Sequence, residues 1–285
     1  MKILLLEPGS YPEDELAGLE VVAAPQDDVV AVLTMASTKV GEELMARLPA
    51  LRAIGTASVG FDHVDVEAAE RRGVVVVNVP DYCTEEVADH TLALLYGLVR
   101  RVVELDRMVQ RGGWNATGAG PLGTVAGMRV GIVGLGRIGT AVATRLLALG
   151  AEVWATDILP VPHAGVRFVE LDELLEGCDA VTVHVPLTTE TRDLIGAREI
   201  ASMRPGAFLV NTSRGKVVDF DAVLEALRDG RLGGAGLDVI PHEPPPAPPV
   251  APNLILTPHA AYYSPRSERR AFRDCVARVR EVLGA

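Results

Sequence analysis

One stretch of this sequence restricts its fold more than any other: Arg129-Val130-Gly131-Ile132-Val133-Gly134-Leu135-Gly136-Arg137-Ile138-Gly139. An apolar, β-rich run leads into Gly134, and a helical pattern leaves from Arg137. Strand, glycine turn and helix in that order form an anion pocket, because free N–H groups and the dipole at a helix N-terminus favour negative charge. Gly134 permits the tight turn, Gly136 lets the backbone approach a pyrophosphate, and Gly139 lets the helix press against the strand. Arg137 and Ile138 complete the loop. A second strand-like run ends at Asp157, 18 residues beyond Gly139, where a carboxylate accepts hydrogen bonds from both ribose hydroxyls. Ile158 follows rather than Arg, so no cation stands ready for a 2′-phosphate. The segment predicts a dinucleotide site for NAD(H) rather than NADP(H).

The same alternation runs through the rest of the chain. Strand-like segments are 2–6, 29–33, 51–56, 74–77, 128–133, 151–156, 179–184, 206–211, 232–238 and 253–256, several of them apolar on both faces as in a covered parallel sheet. Helical patterns fall between them at 41–47, 65–71, 137–149, 171–176 and 219–229. The fold class is α/β. At about 150 residues per domain the length suggests two domains, and the stretch ahead of the fingerprint must build one of them. Thr84 with Glu85 and Glu86 reads as a helix start. Apolar positions then continue to Val109, predicting one long helix of about 27 residues. Its wide apolar stripe implies a second contact at a domain or subunit interface. A last helix opens with Ser264 as N-cap and Pro265 at the first position, its apolar face formed by Phe272, Val276, Val279 and Leu283. Seven prolines fall within 241–252, a stiff connection or, alternatively, a polyproline ligand.

Composition excludes several classes. With 48% hydrophobic and 23% charged residues most of the chain folds, and with 4% aromatics its core rests on Val, Leu, Ile and Ala. A net charge of −11 disfavours nucleic acid and anionic membranes as partners. Cys83, Cys178 and Cys275 form no ligand cluster, so no metal is expected, and their sparse, odd number suits a reducing compartment. The apolar N-terminal run is too short for a signal peptide, and no segment is long enough to span a bilayer. A cytoplasmic location is expected.

Three downstream segments carry chemistry: Asn211-Thr212-Ser213-Arg214-Gly215, Asp238-Val239-Ile240-Pro241-His242-Glu243-Pro244 and Thr257-Pro258-His259-Ala260-Ala261. Each follows a strand candidate, hence lies where open α/β sheets bind ligands. Arg214 can grip a carboxylate or polarise a carbonyl. His259 can exchange a proton near neutrality, and an adjacent carboxylate such as Glu243 would orient the imidazole. Taken singly, each has a plainer reading: a surface ion pair, a solvated loop acid, a capping or core histidine. Spacing alone does not bring them together.

The ordered motifs resemble the D-isomer-specific 2-hydroxyacid dehydrogenase family. They are Gly60-Phe61-Asp62-His63-Val64-Asp65, Arg72-Gly73-Val74, Asn78-Val79-Pro80, Glu86-Val87-Ala88-Asp89-His90, the glycine fingerprint, His184-Val185-Pro186-Leu187-Thr188 and the three segments above. The segments 83–89 and 251–264 look closest to the branch containing the C-terminal-binding proteins. The resemblance implies two Rossmann-like, doubly wound parallel-sheet domains: a discontinuous substrate domain, 1–83 with 264–285, and an NAD-binding domain, 84–263. It implies that Arg214 binds the substrate carboxylate and carbonyl, that His259 is the acid/base, and that Glu243 pairs with it. Backbone N–H groups around Ser58, Val59 and Gly60 would also hold the substrate carboxylate. Val87, His184, Val185, Pro186, Thr191, Thr212, Ser213 and Asp238 would line the cofactor, with Asp238 on the carboxamide. It also implies a homodimer built on the long helix of the NAD-binding domain.

Where many family members follow the catalytic histidine with Gly-Gly, this chain has Ala260-Ala261-Tyr262. Tyr262 is expected to shape a pocket for an apolar or thioether keto-acid side chain, or else to pack at a domain hinge. Only three lysines occur, and no basic cluster suits a phosphorylated substrate. The leading expectation is an NAD-dependent 2-hydroxyacid dehydrogenase, or 2-keto acid reductase. The alternatives are an NADH-sensing binding protein or transcriptional co-regulator on the same fold, and an enzyme oxidising another small anion.

Overall fold

The structure is a computed structural model describing residues 1–36, 38–159 and 161–284. The chain divides into two units, 1–83 with 263–285 and 84–262, so Tyr263 falls with the first. The first unit opens with β1 (Lys2–Leu5), β2 (Glu20–Val22), β3 (Ala31–Thr34), α1 (Glu42–Ala46), β4 (Ala53–Thr56), α2 (Val66–Arg71) and β5 (Val75–Val77). Its five strands are all parallel, in the order β2-β1-β3-β4-β5. β3 and β4 are buried at every position, as their unbroken apolar runs require of strands covered on both faces.

The second unit contains α3 (Thr84–Val99), α4 (Val102–Gln110), β6 (Arg129–Val133), α5 (Arg137–Ala148), β7 (Glu152–Thr156), β8 (Val166–Phe168), α6 (Leu171–Gly177), β9 (Ala180–Val183), α7 (Ala197–Ser202), β10 (Ala207–Asn211), a 3₁₀ turn at Gly215–Val217, α8 (Phe220–Arg228), β11 (Leu232–Leu237) and β12 (Leu254–Leu256). Its seven parallel strands run β12-β11-β10-β9-β6-β7-β8. Strand order reverses between β6 and β9. The loops leaving those two strands diverge there and open a crevice at the carboxyl edge of the sheet. Aliphatic clusters pack the unit, one from Val133, Leu174, Leu209 and Leu237, another from Leu95, Leu98, Ile132, Val142 and Leu146. The chain then returns to the first unit as α9 (Pro265–Leu283). Ser264 caps it by accepting the Ser267 N–H at 3.0 Å, and Phe272, Cys275, Val276 and Val279 are buried. Leu283, expected on the same face, is half-buried.

The long helix expected from 84 to 110 is two helices. Arg101 lies in the left-handed region with φ +49°, ending α3. The cause is distant in sequence. The Gly123 N–H donates to the Val99 carbonyl (3.0 Å), replacing the next turn of the helix. Arg100 and Arg101 then reach the carbonyls of Gly123 and Ala119 at 2.8 and 2.6 Å. The short strands β2 and β8 and the helix α7 were not anticipated. No described helix is long and apolar enough to cross a membrane, and the described residues hold no group of three or more His, Cys, Asp or Glu able to bind a metal ion.

Candidate active site

The glycine turn sits where the crevice opens. Gly134 has φ +92°, and a Cβ there would lie 2.8 Å from Val185 Cγ1 and 3.0 Å from the His184 carbonyl carbon. The turn after β6 is thus pressed against the loop after β9. A Cβ on Gly139 would lie 2.1 Å from the Gly134 carbonyl oxygen, so only glycine lets α5 start there. At Gly136 a Cβ would meet nothing within 4 Å. That space faces the start of α5, whose N-cap Gly136 offers no side-chain acceptor to the free N–H groups. Asp157 ends the neighbouring strand, its oxygens accepting the Leu135 and Leu159 N–H groups at 2.7 and 2.9 Å. Ile158 after it is 95% exposed. The His184 ring carries a buried Nε2 with no hydrogen-bond partner among the described residues. Burial pushes its pKa down to about 4, so the ring is neutral at physiological pH. An open cradle at a helix N-terminus, a ribose-height carboxylate and an orphaned imidazole nitrogen fit a bound dinucleotide.

Thr191 donates its hydroxyl to the Pro186 carbonyl (2.6 Å) and accepts the Thr188 N–H (2.8 Å), which fixes the Val185 and Pro186 loop. Val87 lies buried on α3. Its carbonyl accepts the Thr91 hydroxyl (2.8 Å), and Thr91 Oγ1 lies 2.9 Å from Thr212 Oγ1, tying the helix to the loop after β10.

Arg214, Glu243 and His259 come together at the adjacent strand ends. The Arg214 turn is pinned by Asn211. Its side-chain oxygen accepts the Ser213 N–H (2.9 Å) and hydroxyl (2.8 Å), and its amide donates to the Arg214 carbonyl (2.9 Å). A Cβ on Gly215 would lie 2.1 Å from the Ile240 carbonyl carbon, so this turn packs directly on the loop leading to Glu243. Glu243 accepts the Ile240 N–H at 3.0 Å with one oxygen and faces His259 Nδ1 at 2.8 Å with the other. Burial pulls its carboxyl upward. The hydrogen bond and charge of His259, the Ile240 N–H and the charge of Arg214 outweigh that and hold it below the usual glutamate range. Glu243 therefore stays anionic to a lower pH than an ordinary glutamate, and the pair is lost as pH falls through its depressed pKa. The 2.8 Å contact engages His259 Nδ1 and leaves Nε2 as the second ring nitrogen. Tyr262 stands edge-on to the imidazole, with ring centroids 6.3 Å apart.

Asp238, expected on the cofactor carboxamide, is only 2% exposed. Oδ1 accepts the Thr257 hydroxyl (2.6 Å) and the Ala260 N–H (2.8 Å), and Oδ2 accepts the Ala261 N–H (2.9 Å). Its carbonyl accepts the His259 N–H at 2.8 Å. Asp238 thus builds the turn that carries His259, and one of its roughly four acceptor positions remains. Thr257, His90 and Asn211 were not singled out as site residues. In the first unit, the loop at 58–60 is shaped by Ser58 Oγ donating to the Gly60 carbonyl (2.7 Å) and by the Asn78 amide donating to the Val59 carbonyl (2.6 Å).

A dinucleotide cradle beside an Arg/Glu/His set is the arrangement of a nicotinamide-dependent oxidoreductase. Residues 92–261 match the family described as D-isomer specific 2-hydroxyacid dehydrogenase, NAD binding domain. The chain belongs to this family. It is 40% identical to a glyoxylate reductase of Korarchaeum cryptofilum over 261 residues, 88% of this chain and 79% of that protein. It is 37% identical to a glycerate dehydrogenase of Methylorubrum extorquens over 255 residues, 86% and 79% of the two chains. Among solved structures, D-lactate dehydrogenase of Aquifex aeolicus complexed with NAD and lactic acid superposes with a TM-score of 0.91 at 30% identity, covering 100% and 96% of the chains. These relatives lend no support to the finer likeness to the C-terminal-binding-protein branch.

Proposed function

We propose that this enzyme reduces small 2-keto acids to the D-2-hydroxy acids, with His259 as proton donor. The observation that carries the reading is the 2.8 Å contact between His259 and a Glu243 kept anionic, with the charge of Arg214 acting on the same carboxylate. NADH bound at the Gly134-Gly136-Gly139 turn would supply the hydride. Gly136, Arg137 and Ile138 would hold its pyrophosphate, Asp157 its adenosine ribose, and Val87, His184, Val185, Pro186, Thr191, Thr212 and Ser213 its nicotinamide half. The acceptor position left on Asp238 would take the carboxamide. His259 Nε2 donates to the forming alkoxide, while Glu243 steadies the imidazolium. Arg214 grips the carboxylate and stabilises the charge growing on the carbonyl oxygen. Tyr262, edge-on to the imidazole, would set the size of the side chain accepted, and its phenyl face suits apolar or thioether groups.

The test is NADH oxidation across 2-keto acids graded from glyoxylate to large apolar side chains, repeated with NADPH. The expected result is turnover with NADH preferred at least about tenfold, since Asp157 repels a 2′-phosphate. No turnover of any keto acid would refute the activity, and turnover confined to glyoxylate and hydroxypyruvate would refute the role given to Tyr262.

We also propose a cytoplasmic homodimer. α4 and the turn after it expose Val102, Val109 and Trp114, the last at 90%, and a second copy of the chain would cover them. Light scattering should give a dimer mass that Val109→Asp lowers to that of one chain; a monomeric wild type would refute it.

A further inference from the structure

Behind the turn that carries His259 lies a histidine without an assigned role. His90, on α3, places Nε2 2.9 Å from Thr257 Oγ1. Thr257 Oγ1 is in turn 2.6 Å from Asp238 Oδ1. The direct distance from His90 Nε2 to Asp238 Oδ1 is 3.6 Å, beyond a hydrogen bond, so the connection runs through the hydroxyl.

The protons along this line can be assigned by counting donors. Asp238 receives N–H groups from Ala260 and Ala261, one on each oxygen, and acts as an acceptor throughout. A threonine hydroxyl has a single proton. Thr257 gives it to Asp238, so its oxygen accepts from His90, which must carry its proton on Nε2. The imidazole thereby fixes the direction of the hydroxyl, and the hydroxyl supplies the third donor to the carboxylate. That carboxylate and the carbonyl of the same residue hold the N–H groups of His259, Ala260 and Ala261. His259 sits at φ +52°, a conformation unfavourable for a residue with a Cβ that persists only where its surroundings enforce it.

We propose that His90 is a positioning residue: through Thr257 it fixes Asp238, and through Asp238 it sets both the His259 turn and the one acceptor position facing the nicotinamide carboxamide. The proposal rests on the reading of His259 and Asp238 given above. It predicts a loss at both ends of Asp238, in proton transfer and in cofactor affinity, with the keto-acid KM little changed because Arg214 stands outside the relay.

The experiment compares wild type with His90→Leu, His90→Gln, Thr257→Val and the double variant His90→Leu/Thr257→Val. Each is measured for kcat, keto-acid KM and NADH affinity by fluorescence titration. His90→Leu and Thr257→Val should each lower kcat about fivefold to tenfold and weaken NADH by about fivefold, the scale of one hydrogen bond. The double variant should lose no more than either single one, because one relay is broken once. His90→Gln keeps an N–H donor of similar reach and should restore both quantities to within about twofold to threefold. Losses that multiply in the double variant, a Gln variant as impaired as the Leu variant, or wild-type NADH affinity in Thr257→Val would each overturn the relay. If His90→Leu does not fold, the Gln and Thr257→Val arms decide. A wild type inert toward all keto acids would refute the proposed activity, whereas the NADH titrations would still decide the relay.

Discussion

His259→Asn is expected to lower kcat for keto-acid reduction by about 10²–10⁴, the range assigned to a general acid, while NADH affinity changes by less than about threefold. Asparagine is the informative replacement. The residue at this position has φ +52°, which asparagine adopts with less strain than alanine. Its amide can still meet Glu243, yet it has no proton to transfer near neutrality. Alanine would combine loss of the acid with backbone strain. Retention of more than about a tenth of wild-type kcat would exclude His259 as the proton donor. A fall in NADH affinity parallel to the fall in kcat would mean that the turn, and not the proton, had been lost.

The second large effect is expected at Arg214. Arg214→Lys keeps the charge that acts on Glu243 but loses the planar fork that fits a carboxylate and carbonyl together. kcat/KM should fall about 10²–10³-fold, comparable to removing one preorganised donor at a developing oxyanion. The pH profile should stay in place. Arg214→Gln removes both fork and charge. Its acid limb should rise, because the carboxyl of Glu243 is held down partly by that charge. Steady-state kinetics over a pH series separate the two variants; equal profiles would show that Arg214 does not act on Glu243. Kinetics of Arg214→Lys within a few-fold of wild type would place the substrate elsewhere.

Most of this architecture could be read from local patterns. The doubly wound strands announce themselves as runs apolar on both faces, and Gly134 and Gly139 of the fingerprint meet steric demands across one strand and within a few residues, while Gly136 keeps its space open. The break between α3 and α4 has no such local sign. Arg100 and Arg101 are ordinary helix formers, and the helix stops because Gly123 returns to cap it. β2 and β8 are three-residue edge strands with exposed positions, too short to show a period. At the site, residue types were legible but convergence was not. Arg214, Glu243 and His259 meet because β10, β11 and β12 are neighbours in parallel register, which no spacing reveals. His90 stood within a recognisable motif, yet its partner Thr257 is 167 positions away. Asp238 was expected to face the cofactor, whereas most of its bonding capacity serves its own protein.

The missing side chain at position 215 has a consequence for how this enzyme can change over time. With the Ile240 backbone 2.1 Å from where a Cβ would stand, any residue larger than glycine displaces the guanidinium and the glutamate together. Those two groups are not separate adjustable parts. A change to one loop must therefore carry the other with it, so the arginine and the glutamate can vary only as a unit.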